Sequence, residues 1–250
     1  MKVAVIGARG RMGQAVCAAV GAAEGLELGP QIDLDAGSAD LSALGEPGAA
    51  DVAVVFSVPA VALDHVLACV RAGVHAVVGT TGWSPDRLDA VRSELDANPG
   101  VGVLVAPNFA LGAVLLMRFA AVAAPFYESV EVIELHHPDK VDAPSGTAAH
   151  TAHAIAQARA AASAAAMPDA TNTGLDGARG ADVDGVRVHS VRLRGLVAHE
   201  EVLLGGPGEL LTLRHDSLDR SSFMPGVILA VREVAQRPGL TVGLENYLSL

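Results

Sequence analysis

The chain opens with a short, β-branched-rich run, Lys2 to Ile6. It leads directly into Gly7-Ala8-Arg9-Gly10-Arg11-Met12-Gly13 and then into a helix-forming stretch from Gln14 to Ala22. No other feature narrows the possible folds as much. Strand, glycine loop and helix in that order form the opening unit of a parallel sheet, and the glycines allow a sharp turn, a close backbone approach to a pyrophosphate and tight helix packing. The N-terminal end of such a helix adds unpaired N–H groups and a partial positive charge. The spacing here is G-x-x-G-x-x-G, a variant of the commoner G-x-G-x-x-G. A second strand is expected over Leu26 to Ile32, ending at Asp33, twenty residues beyond Gly13, where a carboxylate accepts the hydroxyls of a ribose. Asp35 is a nearby competitor. Pro30 cannot donate to a strand ladder, so this strand is expected to be short or bulged.

Apolar runs at Val52 to Phe56, His75 to Val78 and Val101 to Val105 follow. Helical patterns around Ala60 to Ala72 and Pro85 to Asp96 separate them. The alternation predicts a doubly wound parallel sheet, whose ligands lie beyond the carboxyl ends of the strands. Those ends read Phe56-Ser57-Val58-Pro59, Gly79-Thr80-Thr81-Gly82-Trp83 and Ala106-Pro107-Asn108-Phe109. Small residues and hydroxyls admit a cofactor, although Gly-Thr-Thr-Gly is equally good turn chemistry.

After Asn108 the pattern becomes α+β. A helix from Leu111 to Ala123 precedes a strand from Val130 to Leu135, and an alanine-dense helix is expected from Thr147 to Ala166. The stretch Asp169 to Gly185 reads as a flap or arm. Val186 to Leu196, Glu200 to Leu204 and Glu209 to His215 read as an antiparallel meander, and Phe223 to Gln236 as a final helix. His150 and His153 lie three apart on the alanine-rich helix, but no third ligand accompanies them, and no metal site is expected.

Composition removes several function classes. A formal net charge of −11 and an aromatic content of 3% leave neither a basic footprint nor stacking surfaces for nucleic acid. No apolar stretch suggests a signal peptide or a transmembrane helix, so a cytoplasmic location is expected. Cys17 and Cys69 are isolated and read as small buried hydrophobes. Of 17 basic residues, Lys2 and Lys140 alone are lysines, leaving fifteen arginines. Lys140 therefore stands out in Glu134-Leu-His-His-Pro-Asp-Lys140-Val-Asp-Ala-Pro-Ser-Gly-Thr-Ala148. A lysine can pair with a carboxylate or give up a proton, whereas an arginine can only do the former.

Taken in order, Gly7-x-x-Gly10-x-x-Gly13, Gly79-Thr80-Thr81-Gly82, Ala106-Pro107-Asn108-Phe109 and His136-His137-x-x-Lys140-Val141-Asp142-Ala143-Pro144-Ser145-Gly146-Thr147-Ala148 resemble the 4-hydroxy-tetrahydrodipicolinate reductase (dihydrodipicolinate reductase) family, over nearly the whole chain. The resemblance implies an NAD(P)H-dependent reduction of 4-hydroxy-tetrahydrodipicolinate to tetrahydrodipicolinate in diaminopimelate and lysine biosynthesis. It also implies an α/β architecture: a Rossmann dinucleotide domain over 1–107 and 217–250, and an α+β domain over 108–216 that binds a small dicarboxylate and forms a homotetramer. Carried over, His136 and Lys140 are the proton-transfer residues, and His137, Ser145, Gly146, Thr147 and Arg220 the substrate binders. Gly7, Ala8, Arg9, Gly10, Arg11, Met12, Asp33, Gly79, Thr80, Thr81, Ala106, Pro107, Asn108 and Phe109 are the cofactor contacts. Val55 stands where the family usually has an acid, and Leu34 where some members have an arginine after the ribose-binding acid. With Asp33 repelling a 2′-phosphate and Arg9 and Arg11 able to attract one, the expectation is NADH preferred or both NADH and NADPH accepted. A dinucleotide-binding sensor without turnover, or another oxidoreductase on this scaffold, are the competing readings.

Overall fold

The computed structural model describes residues 1–35 and 38–248, with the backbone alone at 34, 35, 38 and 39. In chain order the elements are β1 (Lys2–Ile6), α1 (Arg11–Ala22), β2 (Glu27–Ile32), the two-residue β3 (Leu34–Asp35) and β4 (Ser38–Ala39), β5 (Val52–Val55), α2 (Pro59–Arg71), β6 (His75–Val78), α3 (Pro85–Asp96) and β7 (Gly102–Val105). They continue with α4 (Leu111–Ala123), β8 (Ser129–His136), α5 (Gly146–Ala161), β9 (Ala181–Val183), β10 (Val186–Arg192), β11 (Ala198–Gly206), β12 (Glu209–Ser217), α6 (Met224–Glu233) and β13 (Gly239–Val242). The chain divides into two compact units, Met1–Ala110 with Arg220–Leu250, and Leu111–Asp219.

The first unit is a six-stranded parallel sheet in the order β13-β7-β6-β5-β1-β2. Its central strands β5, β6 and β7 carry almost uninterrupted valine and alanine. That suits strands buried on both faces, and Val52 to Val55 have no exposed surface at all. Val55, standing where the family resemblance leads one to expect an acid, is therefore part of this core. Pro30 sits in the edge strand β2, where the register against β1 slips between Val3 and Val5, so the expected bulge is present. Phe109 and Ala110 stay with this unit because Phe109 packs on Phe56, ring centroids 5.9 Å apart, while its carbonyl abuts Gly226 so closely that a Cβ there would lie 2.0 Å away. Beyond the final helix Gly239 begins β13, which closes the sheet edge against β7.

The second unit is a five-stranded mixed sheet, order β12-β11-β8-β10-β9, with α4 and α5 on one face. The expected meander is corrected in one respect: β10 runs parallel to β8, and β11 enters on the other side of β8 antiparallel to it. The reason is α5, whose crossover returns the chain parallel to the strand it left. α5 is also shorter than its alanine content suggests. It stops at Ala161, with Ser163 at φ 53°, because the Arg159 guanidinium, buried beneath the helix end, donates to Ala124 O, Tyr127 O and Ala165 O and draws the following chain back. Part of the glycine-rich arm is the hairpin strand β9.

Candidate functional site

In the first unit the glycine loop is built for close approach. Gly7 has φ +88°, and a Cβ on it would lie 2.5 Å from Phe56 O. A Cβ on Gly13 would lie 2.0 Å from Gly7 O, so α1 starts where no other residue fits. Gly7 and Ala8 N–H both donate to Ile32 O, and Arg9 N–H donates to Asp33 Oδ2 at 2.5 Å, which ties the loop to the end of β2. α1 has Gly10 at its N-cap, no side-chain cap and no acid in its first turn, leaving its end suited to an anion.

Two cavities border this loop. One, about 130 Å³, lies among Gly7, Gly10, Asp33, Val58 and His65; the other, about 330 Å³, lies among Gly10, Arg11, Met12, Thr80, Thr81 and Arg220. They share Gly10, Phe56 and Ser57, and so form a trough over the carboxyl ends of the strands. Asp33 borders the first and Arg220 the second. An uncapped helix end beside small residues and an acid suits a nicotinamide dinucleotide.

Gly79 and Thr80 have structural duties of their own. A Cβ on Gly79 would strike the Phe56 ring at 2.1 Å, and Thr80 Oγ1 donates to Ser57 O at 2.9 Å. Ala106 to Phe109 line neither cavity: Ala106 and Phe109 are buried, and Asn108 Oδ1 accepts from Ala110 N–H at 2.8 Å, forming the turn that ends β7. The sequence reading missed His65. It is buried on α2, its Nδ1 is 3.0 Å from Ser57 Oγ, and burial lowers its pKa against the opposing pull of Asp64. Nothing in the local sequence distinguishes it from a core histidine.

In the second unit β8 carries His136 at its end, and the loop to α5 carries the rest. His136 is mostly buried, His137 is exposed, and Lys140 N–H donates to His137 O in the turn between them. Lys140 Nζ donates to Asp142 Oδ1 at 2.7 Å. Burial opposes the Asp142 charge, but hydrogen bonds from Lys140 and from the backbone at Asp142 and Gly146 outweigh it and hold the carboxyl below its ordinary range. Ser145 is the buried N-cap of α5, its Oγ accepting from Ala148 N–H at 3.1 Å, while Gly146 is exposed with open space at its Cβ position. Thr147 follows, half-buried.

Beneath this loop lies Glu134, fully buried. His136 Nδ1 is 2.5 Å from its Oε2, Arg192 donates to both its oxygens at 2.8 Å, and Ser145 N–H donates to Oε1 at 3.1 Å. Burial works against its charge, yet the donors from His136, Arg192 and Ser190 prevail, and its carboxyl sits well below the usual range. Neither Glu134 nor Arg192 was singled out from the sequence. Their signal is an acid placed on the inward-facing period of a strand whose other inward residues are Val130 and Val132. The cavity of about 460 Å³ near Arg159, Arg179 and Met167 contains none of the candidate residues. Among the described residues no group of three or more His, Cys, Asp or Glu is placed to hold a metal, and no helix is long and apolar enough to cross a membrane.

Two family models match. The dihydrodipicolinate reductase N-terminus covers residues 1–109, and the dihydrodipicolinate reductase C-terminus covers residues 112–248. A relative from Beutenbergia cavernae named 4-hydroxy-tetrahydrodipicolinate reductase is 62% identical over 250 residues, covering 100% of this chain and 99% of the relative. One of the same name from Streptomyces coelicolor is 60% identical, covering 100% and 98%. A solved structure, dipicolinate-bound dihydrodipicolinate reductase from Paenisporosarcina sp. TG-14, superposes with a TM-score of 0.86 at 39% identity, covering 99% of each chain. The chain belongs to the dihydrodipicolinate reductase family.

Proposed function

We propose that this protein is a 4-hydroxy-tetrahydrodipicolinate reductase, using NADH or NADPH to produce tetrahydrodipicolinate for diaminopimelate and lysine synthesis in the cytoplasm. The observation that carries the reading is the β8–α5 loop. It places a histidine backed by a buried carboxylate and the chain's one internal lysine on the same short segment as the N-terminus of α5. Loss of the 4-hydroxyl with a neighbouring ring proton as water gives a C=C bond conjugated with the ring C=N bond, and a bound NADH or NADPH would supply the hydride that this conjugated carbon accepts. His136 and Lys140 handle the proton that the ring must then gain. His137, Gly146 and Thr147 receive the substrate carboxylates at the start of α5, and Ser145 supports them from below as its cap.

We assign Gly7 to Met12, Asp33 and Gly79 to Thr81 to the cofactor, with Ala106 to Phe109 closing the strand end beside it. Arg220, expected among the substrate binders, borders the same cavity as Gly10 to Met12, Thr80 and Thr81, which supports a cofactor-side role for its guanidinium. The first unit is thus the dinucleotide domain, and the second the substrate domain.

Asp33 at the ribose end favours NADH, and the exposed Arg9 and Arg11 leave NADPH acceptable. Specificity constants for the two cofactors are expected to favour NADH or to differ little. NADPH favoured by more than about a hundredfold, roughly 2.7 kcal/mol, would contradict this. The activity itself is tested by forming the substrate in situ from pyruvate and aspartate semialdehyde with a synthase and following NADH absorbance. Oxidation is expected only with all components present, and its absence overturns the proposal.

A further inference from the structure

The chemistry of His136 depends on which ring nitrogen carries hydrogen, and the structure fixes that from behind. Glu134 points inward from β8, in the same register as Ser190 on β10 and Glu200 on β11. Its surroundings are all donors: Arg192 forks onto both oxygens from β10, Ser145 N–H reaches Oε1 from the cap of α5, and Ser190 adds a hydroxyl. Arg192 continues to Asp142 O at 2.7 Å, so the same guanidinium fastens the loop that carries Lys140. The nearest competing acid, Glu200, is turned to Thr151 Oγ1 at 2.5 Å. A carboxylate held this way can only accept, so the Nδ1 facing it must carry the hydrogen.

We infer that Glu134 is a positioning residue: anchored by Arg192, it accepts Nδ1–H from His136 and so leaves Nε2 as the nitrogen that exchanges a proton with the substrate. This rests on the reading of His136 as a proton-transfer residue. Glu134 never touches substrate. It sets the tautomer and the ring plane, while Arg192 holds the carboxylate and the Asp142 backbone in one frame.

The test uses the full-length enzyme. Glu134→Gln keeps the shape but puts an amide beside Nδ1 that can donate as well as accept, so the ring is no longer held in one tautomer. The expected result is a kcat at least about tenfold lower, with the KM for substrate within several-fold, NADH affinity unchanged, and nitrogen NMR showing the His136 ring losing its uniform Nδ1–H form. In a His136→Gln background, adding Glu134→Gln is expected to cost less than about twofold more, because the ring it positions is gone. Full kcat in Glu134→Gln beside a crippled His136→Gln overturns the inference and leaves the proposed function standing. Losses that multiply in the double variant show a merely structural role and also overturn it. Normal turnover in His136→Gln removes both this inference and the reading beneath it. Should Glu134→Gln not fold, Glu134→Asp keeps the charge for Arg192 while drawing back from the ring; kcat below the parent with nitrogen NMR still showing exchange at Nδ1 is expected, and an unaltered kcat and tautomer would refute the role.

Discussion

Asp142 holds, in the protein alone, two groups that the reaction is proposed to use: the Lys140 ammonium for proton transfer and the Gly146 N–H for a substrate carboxylate. Its side chain accepts from Lys140 Nζ and from the Gly146 N–H at the start of α5. A substrate carboxylate that takes the Gly146 N–H as proposed would displace Asp142, which thus competes with substrate while holding Lys140. Asp142→Asn removes the competing charge. The expected outcome is a KM several-fold lower at a similar kcat; a KM that rises instead means that Asp142 chiefly orients the lysine. Lys140 itself is separated into roles by Lys140→Arg, which keeps the charge but not a proton that can leave near neutral pH. Steady-state kinetics are expected to show kcat down at least about tenfold, near 1.4 kcal/mol of transition-state stabilisation, at a KM within several-fold. A sharply raised KM at unchanged kcat would make the lysine a carboxylate clamp. His136→Gln is expected to lose a general acid/base contribution of about 10² to 10⁴ in rate with cofactor binding intact.

Two glycines of α1 show how much an element's position decides. Gly13, buried at its start, has no room for a Cβ, whereas Gly21, exposed near its end, has nothing within 4 Å of the Cβ position. Gly13→Ala is expected to cost on the order of 1–3 kcal/mol by thermal unfolding and to abolish NADH binding, while Gly21→Ala is expected to gain up to about 1 kcal/mol. Equal melting temperatures for the two would contradict the loop geometry. The strands β8 and β11 make a second contrast, because each turns an acid inward at the same rung. Glu134 is ionised among donors, and Glu200 is pushed up by burial to about 7. A protonated Glu200 can donate to Thr151 Oγ1 while Thr151 donates to Thr147 O, which satisfies both short contacts at once. Since its folded pKa lies above its unfolded value near 4.5, stability tied to Glu200 is full below about pH 4.5 and is lost as pH rises through about 7. Urea unfolding of Glu200→Gln should lack this decline, and an identical pH slope in parent and variant would refute it. Periodicity made most elements readable in advance: valine runs marked β5 to β7, and the G-x-x-G-x-x-G loop marked the cofactor end. Topology was not readable, because a parallel β10 and an antiparallel meander share one alternation, and only the return path of α5 distinguishes them. The end of α5 was hidden for a related reason, since Arg159 overrides alanine propensity through bonds to carbonyls at Ala124 and Tyr127, far away in sequence. The loop residues His136 to Thr147 are visible as a motif and Glu134 only as an acid in the inward period of β8, while the contacts of Arg192 with Glu134 and of His65 with Ser57 come from three-dimensional proximity that no spacing records.

At the scale of the whole molecule, the helices of the second unit, among the described residues, lie on one face of its sheet. Both helices pack on Val130, Val132, Val202 and Leu204, and the opposite face offers Ile133, Leu135 and Leu203 among the charged residues Glu131, Arg187, Glu201 and Arg214. Leu210, on the edge strand β12 and aligned with Gly205 on that same face, is 65% exposed. An apolar band rimmed by paired charges on a flat sheet suits a self-complementary contact, which a chain of net charge −11 needs in order to bring like-charged copies together. We propose this sheet face as the contact of the homotetramer that the family resemblance implies. Leu203→Glu tests it, because Leu203 lies outside the core cluster and a new acid there adds a like charge beside Glu131, its partner across β8. Light scattering on the parent at micromolar concentration is expected to give the mass of four chains, and the variant a smaller species. NADH titration is expected to be unchanged, since the cavities proposed for the cofactor are lined wholly by the first unit. A parent that is monomeric at that concentration removes the tetramer. A variant that stays tetrameric moves the contact to another surface, such as the exposed Phe119, Val122 and Phe126 of α4 and the turn after it.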